Sequence, residues 1–224
     1  DCNGVPKHSL PSIHHIAKDR GYATGVVSSA RVTHATPSSV YSSTADRNYE
    51  DNSKLPKGCT GQKDIAAQLI DSSLDLAMGG GRRHFIPKNF TDQEGKSGKR
   101  TDGKDLIDAW KKAGGQYAWD DKTHASLDLR GSKILGLYES SHMKYEHDRT
   151  GEPSLAEMTK TAIEYLSAKS ERGFFLMVEA GRVDHANHAN NAHRMVTDGV
   201  AFAEAVRIAD EMTDDEETLI IVTA

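Results

Sequence analysis

Gly173-Phe-Phe-Leu-Met-Val178 is an almost wholly apolar run, and it is followed at once by the polar segment Glu179-Ala-Gly-Arg-Val-Asp-His-Ala-Asn-His188. A short apolar run without polar alternation is typical of a strand that is buried on both faces of a parallel sheet. In such sheets, ligands bind just beyond the carboxyl ends of the strands. We therefore expect the chemistry of this protein to lie in the residues that follow Val178.

Helical patterns and short apolar runs alternate along the rest of the chain. Strands are predicted at 24–28, 74–78, 133–138, 173–178 and 218–223, and helices at 10–19, 64–70, 104–113, 154–169 and from 188 or 190 to about 212. This alternation predicts an α/β protein, a three-layer α/β/α sandwich with a mostly parallel central sheet. No repeat or linker divides residues 1–224, so we expect them to belong to a single domain.

Three further segments carry weaker predictions. Residues 29–60 are polar and turn-rich, and we interpret them as a long functional loop. Residues 82–102 are rich in charge, Gly and Lys, which predicts a surface excursion. The run Gly79-Gly-Gly-Arg-Arg83 matches neither the Walker nor the dinucleotide pattern, so we interpret it as a structural turn. The strand predicted at 218–223 runs to the end of the sequence without a cap, which favours a partial and therefore incomplete fold.

The composition of the 224 residues excludes some classes of protein. A net charge of -5 argues against a strongly basic nucleic-acid binder, and no apolar run approaches the ~20 residues of a membrane helix. The chain opens at Asp1, so any targeting segment lies outside it. Cys2 and Cys59 are either two buried thiols or one disulfide, and a disulfide would indicate an exported protein.

The segment after Val178 holds a dense group of metal-ligand types. Asp184 and His188 are four residues apart, so on a helical turn they share a face and form half of a typical zinc site. Glu179 stands at the predicted strand tip, where its carboxylate suits magnesium. His185 and His193 lie in the same segment. The alternative is a polar helix start, with Asp184 as a capping group and the histidines solvated.

A second polar segment, Arg31-Val-Thr-His-Ala-Thr-Pro37 continuing to Arg47, follows another predicted strand. The Thr36 hydroxyl could complete a magnesium shell, and the Arg47 guanidinium suits bidentate contact with phosphate. His34 lies between them. Considered alone, this segment is more typical of an ordinary Ser/Thr-rich loop, and Arg47 of a surface arginine.

Together the two segments resemble the alkaline phosphatase family. Arg31-Val-Thr-His-Ala-Thr-Pro37 with Asp46-Arg47-Asn48 is similar to the family's Arg-Val-x-His-Ala-[Ser/Thr]-Pro…Arg-Asn motif, and Val178–His188 is similar to Val-Glu-Gly-Gly-Arg-Ile-Asp-His-x-x-His. Four further landmarks follow the family's order: Asp64-Ile-Ala-Ala-Gln-Leu69, Met78-Gly-Gly-Gly-Arg82, Gly136-Leu-Tyr-Glu139 with Met143-Lys-Tyr145, and Pro153-Ser-Leu155. The resemblance covers essentially the whole chain.

The resemblance implies a role for each matching position. Thr36 and Glu179 would be magnesium ligands, and Asp184 and His188 would be ligands of the first of two zinc ions. Arg47 would bind the non-bridging phosphate oxygens. His34 would act near magnesium and phosphate through water. At the position of His185, some members contact phosphate through water. Cys2 and Cys59 match a cysteine pair that is disulfide-bonded in animal members.

The departures from the family pattern are specific. The family's Asp-Ser-Ala nucleophile segment has no match within residues 1–224, and its second zinc's Asp-His would follow Ala224, with a further zinc-binding His downstream. Ala180 replaces a family glycine, a change expected to be harmless. Animal members also carry a calcium site near the segment matching residues 139–152, whose ligands the sequence alone does not identify here.

The function that the resemblance implies is metal-dependent hydrolysis of small phosphate monoesters through a phosphoserine intermediate, by a protein that is a homodimer when complete. The location would be periplasmic or extracellular, either secreted or anchored at the surface. We expect the chain by itself to be inactive. One alternative is a non-catalytic fragment or pseudoenzyme that binds metal or phosphate. Another is a related sulfatase, phosphodiesterase or mutase, against which the Arg31–Pro37 motif argues.

Overall fold

The computed structural model describes residues 2–3 and 9–223 of the chain. Its centre is a five-stranded sheet in the order β3-β4-β2-β1-β5, and every pairing between these strands is parallel. The predicted α/β class with a mostly parallel sheet is thus confirmed. The strands are Ala23–Arg31 (β1), Leu76–Gly80 (β2), Gln116–Ala118 (β3), Ile134–Leu137 (β4) and Phe174–Glu179 (β5).

Helices follow the strands and cover both faces of the sheet. They are Ile13–Asp19 (α1), Ala35–Tyr41 (α2), Ile65–Asp71 (α3), Leu106–Lys112 (α4), Asp121–Ala125 (α5), Leu155–Lys169 (α6), Gly181–His188 (α7) and Ala192–Glu211 (α8), with 3₁₀ turns at Asn52–Lys54, Arg82–His84 and Glu146–Asp148. A capping box begins α6: the Ser154 side chain accepts from the Glu157 N–H, and the Glu157 carboxylate accepts from the Ser154 N–H.

Two separate hydrophobic cores show why the architecture has three layers. Successive side chains of a strand point to opposite faces, so Val26 packs with α2, α3 and α4 while Val27 packs with α6 and Ala205 of α8. The β5 run follows the same rule. Its Phe175 and Met177 side chains meet the first core, and Phe174, Leu176 and Val178 meet the second. The absence of polar alternation in the sequence has this physical cause.

The strand predicted at 218–223 is wrong. These residues form no strand, and the Leu219 and Ile221 side chains are 83% and 77% exposed. An apolar run becomes a strand only where a neighbour accepts its backbone hydrogen bonds. The outer edge of β5 pairs with no strand in the described part of the chain, and this run does not reach it.

The surface excursion predicted at 82–102 is confirmed over residues 88–91, 93–97 and 99, which are exposed, but buried ion pairs hold the segment against the core. The Arg82 side chain is fully buried and donates to Asp92, while the Arg100 side chain is almost fully buried and donates to both carboxylate oxygens of Asp64. A guanidinium can be buried where carboxylates satisfy its donors. Phe85 joins the core nearby.

The long loop predicted at 29–60 is shorter than expected. β1 continues to Arg31, α2 follows, and a 3₁₀ turn forms at Asn52–Lys54. The turn predicted at 79–83 agrees with the structure. The segment 79–83 turns at Gly81, whose φ of +104° favours glycine. The helix predicted from 188 or 190 starts at Ala192.

Candidate active site at the tips of β1 and β5

The two polar segments meet because their strands are neighbours. Ser28 of β1 pairs with Glu179 of β5, and the Ser28 hydroxyl donates to the Glu179 carboxylate across 2.5 Å. Gly181 then allows α7 to begin against β1, since a Cβ at this position would lie 2.8 Å from the Ala30 Cβ. Ala180 has a φ of -87°, which any residue adopts, so the family glycine is not required here.

Asp184 and His188 share one face of α7, as their spacing predicts. The Asp184 Oδ1 lies 3.5 Å from the His188 Nε2, and the two side chains are 70% and 79% exposed. A carboxylate oxygen and an imidazole nitrogen held one turn apart are the right donors for zinc. The structure therefore presents this pair to solvent without other ligands beside it among the described residues.

The β1 side of the site is organised by α2. His34 stands at the N-cap position of this helix, and its Nε2 lies 3.1 Å from the Arg47 Nη2. Thr36 is exposed in the first turn of α2. Within residues 9–223 no hydrogen bond joins its hydroxyl to Glu179, the other predicted magnesium ligand.

A third histidine joins the site from the loop after β4. Nitrogen atoms of His34, His142 and His185 lie within 4.8 Å of one another. The ring centroids of His142 and His185 are 4.1 Å apart, and both rings lie close to that of His34. The sequence prediction missed His142. Its position just past a buried strand, the criterion that identified the other two segments, could have indicated it.

Behind these rings lies a buried ionic network that the sequence also did not reveal. Two nitrogens of Arg31 donate to the two carboxylate oxygens of Glu50 at 2.7 Å, and the Thr33 hydroxyl donates to the same carboxylate. His84 approaches Glu50 and is hydrogen-bonded to Asp51. Burial alone would raise the pKa of Glu50, but the hydrogen bond from Arg31 and the positive charges nearby lower it. The network fixes the position of Arg31.

The electrostatic field around the three histidines is positive. Burial and the neighbouring charge of Arg31 lower the pKa of His142 to about 2. Burial and the charge of Arg182 lower the pKa of His185 to about 4, and burial together with Arg31 lowers the pKa of His34. Neutral rings surrounded by guanidinium groups suit an anionic ligand better than a cationic one.

His193 does not belong to the site. Its ring packs edge-on against that of His147, with centroids 4.5 Å apart, at the start of α8. Cys2 and Cys59 are joined by a disulfide with Cα atoms 5.9 Å apart. The disulfide prediction is therefore confirmed.

A group of carboxylates, Glu94, Glu139 and Glu152, lies near Lys144. Glu152 is almost completely buried. Its Oε1 accepts from the Lys144 N–H, but its Oε2 has no hydrogen-bond partner. Burial raises the pKa of Glu152 to about 7, and the negative charges of Glu139 and Glu94 contribute. A buried carboxylate with one unpartnered oxygen, and with the negative charge of two other carboxylates nearby, has the chemistry of a hard-cation site.

Comparisons with known proteins identify the family of this chain. The family model described as alkaline phosphatase matches residues 4–224. The chain belongs to the alkaline phosphatase family. It is 41% identical to the tissue-nonspecific alkaline phosphatase of Gallus gallus over all of this chain and 46% of that protein. The chain therefore spans about half the length of the curated relatives it matches.

Solved alkaline phosphatases have the same fold. The Thermus thermophilus structure matches with a TM-score of 0.72 and 34% identity, over 87% of this chain and 37% of that one. A mutant alkaline phosphatase of the Antarctic bacterium TAB5, with Mg bound in its M3 site, matches with a TM-score of 0.69 and 28% identity, over 91% and 51% of the two chains.

Proposed function

We propose that the protein to which this chain belongs is a metal-dependent alkaline phosphatase that hydrolyses small phosphate monoesters. The observation that carries the proposal is the meeting of the two motif segments. Arg47 and His34 from the β1 side and His185 from the β5 side lie together in one positively charged cluster at the strand tips, near Glu179. A guanidinium fork and uncharged imidazoles suit a phosphoryl group.

The donor chemistry at the strand tips fits the metals of the family. Glu179 and Thr36 would supply oxygen ligands to magnesium, and Asp184 and His188 would supply an oxygen and a nitrogen to the first zinc. Bound metal ions would stabilise charge on the attacking and leaving oxygens of phosphoryl transfer. The nucleophilic serine and the ligands of the second zinc are expected outside residues 1–224.

Each residue of the chain has a separate task in this proposal. Arg47 would bind the non-bridging oxygens of the phosphoryl group and offset their charge. The hydrogen bond from the Arg47 Nη2 to the His34 Nε2 orients the Arg47 guanidinium. The Ser28 hydroxyl holds the Glu179 carboxylate at the end of β5. None of these tasks needs a proton to leave the residue.

The acidic group around Glu152 fits the additional calcium site of the animal enzymes. Glu94 and Glu139 supply the other carboxylates, and the unpartnered Oε2 of Glu152 supports the assignment. Calcium should raise the melting temperature of this chain and should have little effect on Glu152→Gln. An equal effect of calcium on both proteins would contradict the assignment.

The disulfide supports export to the periplasm or the extracellular space. No helix among the described residues is long and apolar enough to cross a membrane. A homodimer is proposed for the complete protein on the family resemblance alone.

Hydrolysis of p-nitrophenyl phosphate by the longer protein from the same reading frame tests the proposal. We expect zinc-dependent turnover by the longer protein and negligible turnover by residues 1–224. If the longer protein binds zinc and phosphate but shows no turnover, the non-catalytic alternative is correct. Turnover by the 224 residues alone would show that the missing nucleophile has been misassigned.

A further inference from the structure

The cluster of His34, His142 and His185 has the spacing of a three-histidine metal site. Its chemistry depends on which nitrogen of each ring carries the proton. A neutral imidazole has one N–H donor and one acceptor nitrogen, and the hydrogen bond at one nitrogen determines the state of the other. A metal ligand must present the acceptor nitrogen to the ion.

The backbone of β1 determines the state of His142. The Arg31 backbone N–H donates to the His142 Nδ1 at 3.2 Å, so this nitrogen is the acceptor and the Nε2 carries the proton. The Nε2 then lies 2.5 Å from the Arg31 Nη1, which is also a donor. Two donors face each other there. An acceptor atom that bonds to both N–H groups would resolve this contact.

The other two rings are fixed by arginines in the same way. The Arg182 Nη1 lies 3.1 Å from the His185 Nδ1, so Nδ1 accepts and the Nε2 carries the proton. The Arg182 guanidinium is held over the Tyr145 ring, 3.7 Å from its centroid. The Arg47 Nη2 occupies the acceptor nitrogen of His34, which leaves its Nδ1 as the donor. Each ring therefore retains an N–H, and its acceptor nitrogen is already used.

The nearby charges favour an anion as well. The cluster is bordered by Arg31, Arg47 and Arg182, and the two carboxylates around it each accept hydrogen bonds from other side chains. Glu50 accepts from Arg31 and Thr33. Glu179 accepts from Ser28. A divalent cation would meet three guanidinium groups and no free imidazole lone pair.

We propose that His142, together with His34 and His185, forms a group of N–H donors that binds an oxygen of a phosphoryl group or of inorganic phosphate, and not a metal ion. This inference rests on the proposed function and adds His142 to the residues that contact the substrate. The Nε2–H of His142 and the Nη1 of Arg31 donate to the same phosphate oxygen. Glu50 keeps Arg31 in the orientation this requires.

Long-range 1H–15N spectra of the histidine-labelled chain test the inference, because they distinguish the two neutral tautomers and a metal-bound ring. We expect an Nε2–H tautomer for His142 and His185 and an Nδ1–H tautomer for His34. Inorganic phosphate should shift the His142 resonances. His14 is buried and His124 is half-buried, and both are bonded to other hydroxyl groups, so their resonances should not move and serve as internal controls.

Two substitutions separate a binding role from a structural one. His142→Phe removes the donor and should weaken phosphate affinity about tenfold. His142→Gln places an amide N–H at a comparable distance from the backbone and should restore most of the affinity. Inhibition of the longer protein by phosphate should weaken by the same factor in His142→Phe, and its zinc content should not change.

Three results would overturn the inference: no shift of His142 with phosphate, equal phosphate affinity in His142→Phe, or loss of the Nε2 proton of His142 on addition of zinc. The last result would identify a metal site. A longer protein that hydrolyses monoesters while His142 ignores phosphate would overturn the inference and leave the proposed function intact.

Discussion

The tips of β1 and β5 both carry candidate site residues, but the rest of the protein holds these residues in place to different degrees. At the β1 tip, the Arg31 and Glu50 side chains are 12% and 10% exposed and bond to each other twice. At the β5 tip, Asp184 and His188 are more than two-thirds exposed and contact mainly each other. Contacts within the chain thus hold Arg31 and Glu50 in place, whereas Asp184 and His188 have the geometry of a site that a metal ion would complete.

Of the substitutions that test this comparison, removal of the Glu50 side chain should change the free energy of unfolding most. Glu50→Ala leaves Arg31 and Thr33 without their acceptor in a buried position, which should lower the free energy of unfolding by about 3 kcal/mol. Urea denaturation measures the change. The control is Asp71→Ala, which breaks the exposed pair with Lys63 and should cost less than about 0.5 kcal/mol. Similar losses in both variants would show that the network does not brace the β1 tip.

A substitution under the His142 loop should have the next largest effect. A Cβ at Gly80 would overlap the Ser141 carbonyl oxygen, so Gly80→Ala should lower the free energy of unfolding by about 2 kcal/mol and displace His142. Gly199→Ala in α8 meets open space and should instead stabilise the protein by about 0.5 kcal/mol. Thermal denaturation measures both changes. A lower melting temperature for Gly80→Ala and a higher one for Gly199→Ala would support the close packing of this loop, and an unchanged melting temperature for Gly80→Ala would contradict it.

A buried histidine outside the site should make stability depend on pH. Burial and the charge of His15 lower the pKa of His14 from 6.5 to about 4. Between these values the unfolded chain binds more protons, so the stability contributed by neutral His14 is present above pH 6.5 and is lost as the pH falls towards 4. We expect a loss of about 1–2 kcal/mol.

His34, His142 and His185 also have lowered pKa values and contribute to the same part of the profile, so His14→Asn should reduce the slope without removing it when denaturation is measured across this range. His193→Asn changes an exposed histidine of α8 and should leave the slope as it is. An equal slope in His14→Asn and the wild-type chain would show that His14 does not contribute to it.

The exposed ligand pair should give the smallest effect on stability. Without metal, Asp184→Asn should change the free energy of unfolding by less than about 0.5 kcal/mol, because its partner remains solvated. With zinc present, the wild-type chain should gain stability through binding to the native state, and the variant should gain less. Equal zinc stabilisation in the two proteins would exclude Asp184 as a ligand.

Local patterns were sufficient to predict much of the fold. The unbroken apolar run of β5 indicated burial on two faces, and the structure places its alternate side chains in two cores. The capping residues of α6 also behave as their spacing predicts. The 218–223 run failed for a non-local reason. Its strand propensity is clear, but no described neighbour accepts its backbone hydrogen bonds.

The residues of the candidate site also differ in whether local spacing in the sequence predicts them. Asp184 and His188 could be predicted because the helical repeat alone sets their distance. Glu50 could not, since it reaches Arg31 from a position 19 residues away in the sequence. For His142, 111 residues away, the sequence offers its place after a buried strand but not its contact with Arg31. Buried partners of opposite charge, as at Arg82 and Asp92, likewise look like an exposed charged segment until the fold brings them together.

The most direct test of the account is the effect of Arg47→Ala in the longer protein, with phosphate inhibition and zinc content measured on the same sample. Arg47 contacts His34 and no predicted metal ligand, so we expect phosphate affinity to fall by at least about tenfold while zinc content stays at the wild-type level. Unchanged phosphate affinity, or loss of zinc from the variant, would contradict the assignment of this pocket to the phosphoryl group.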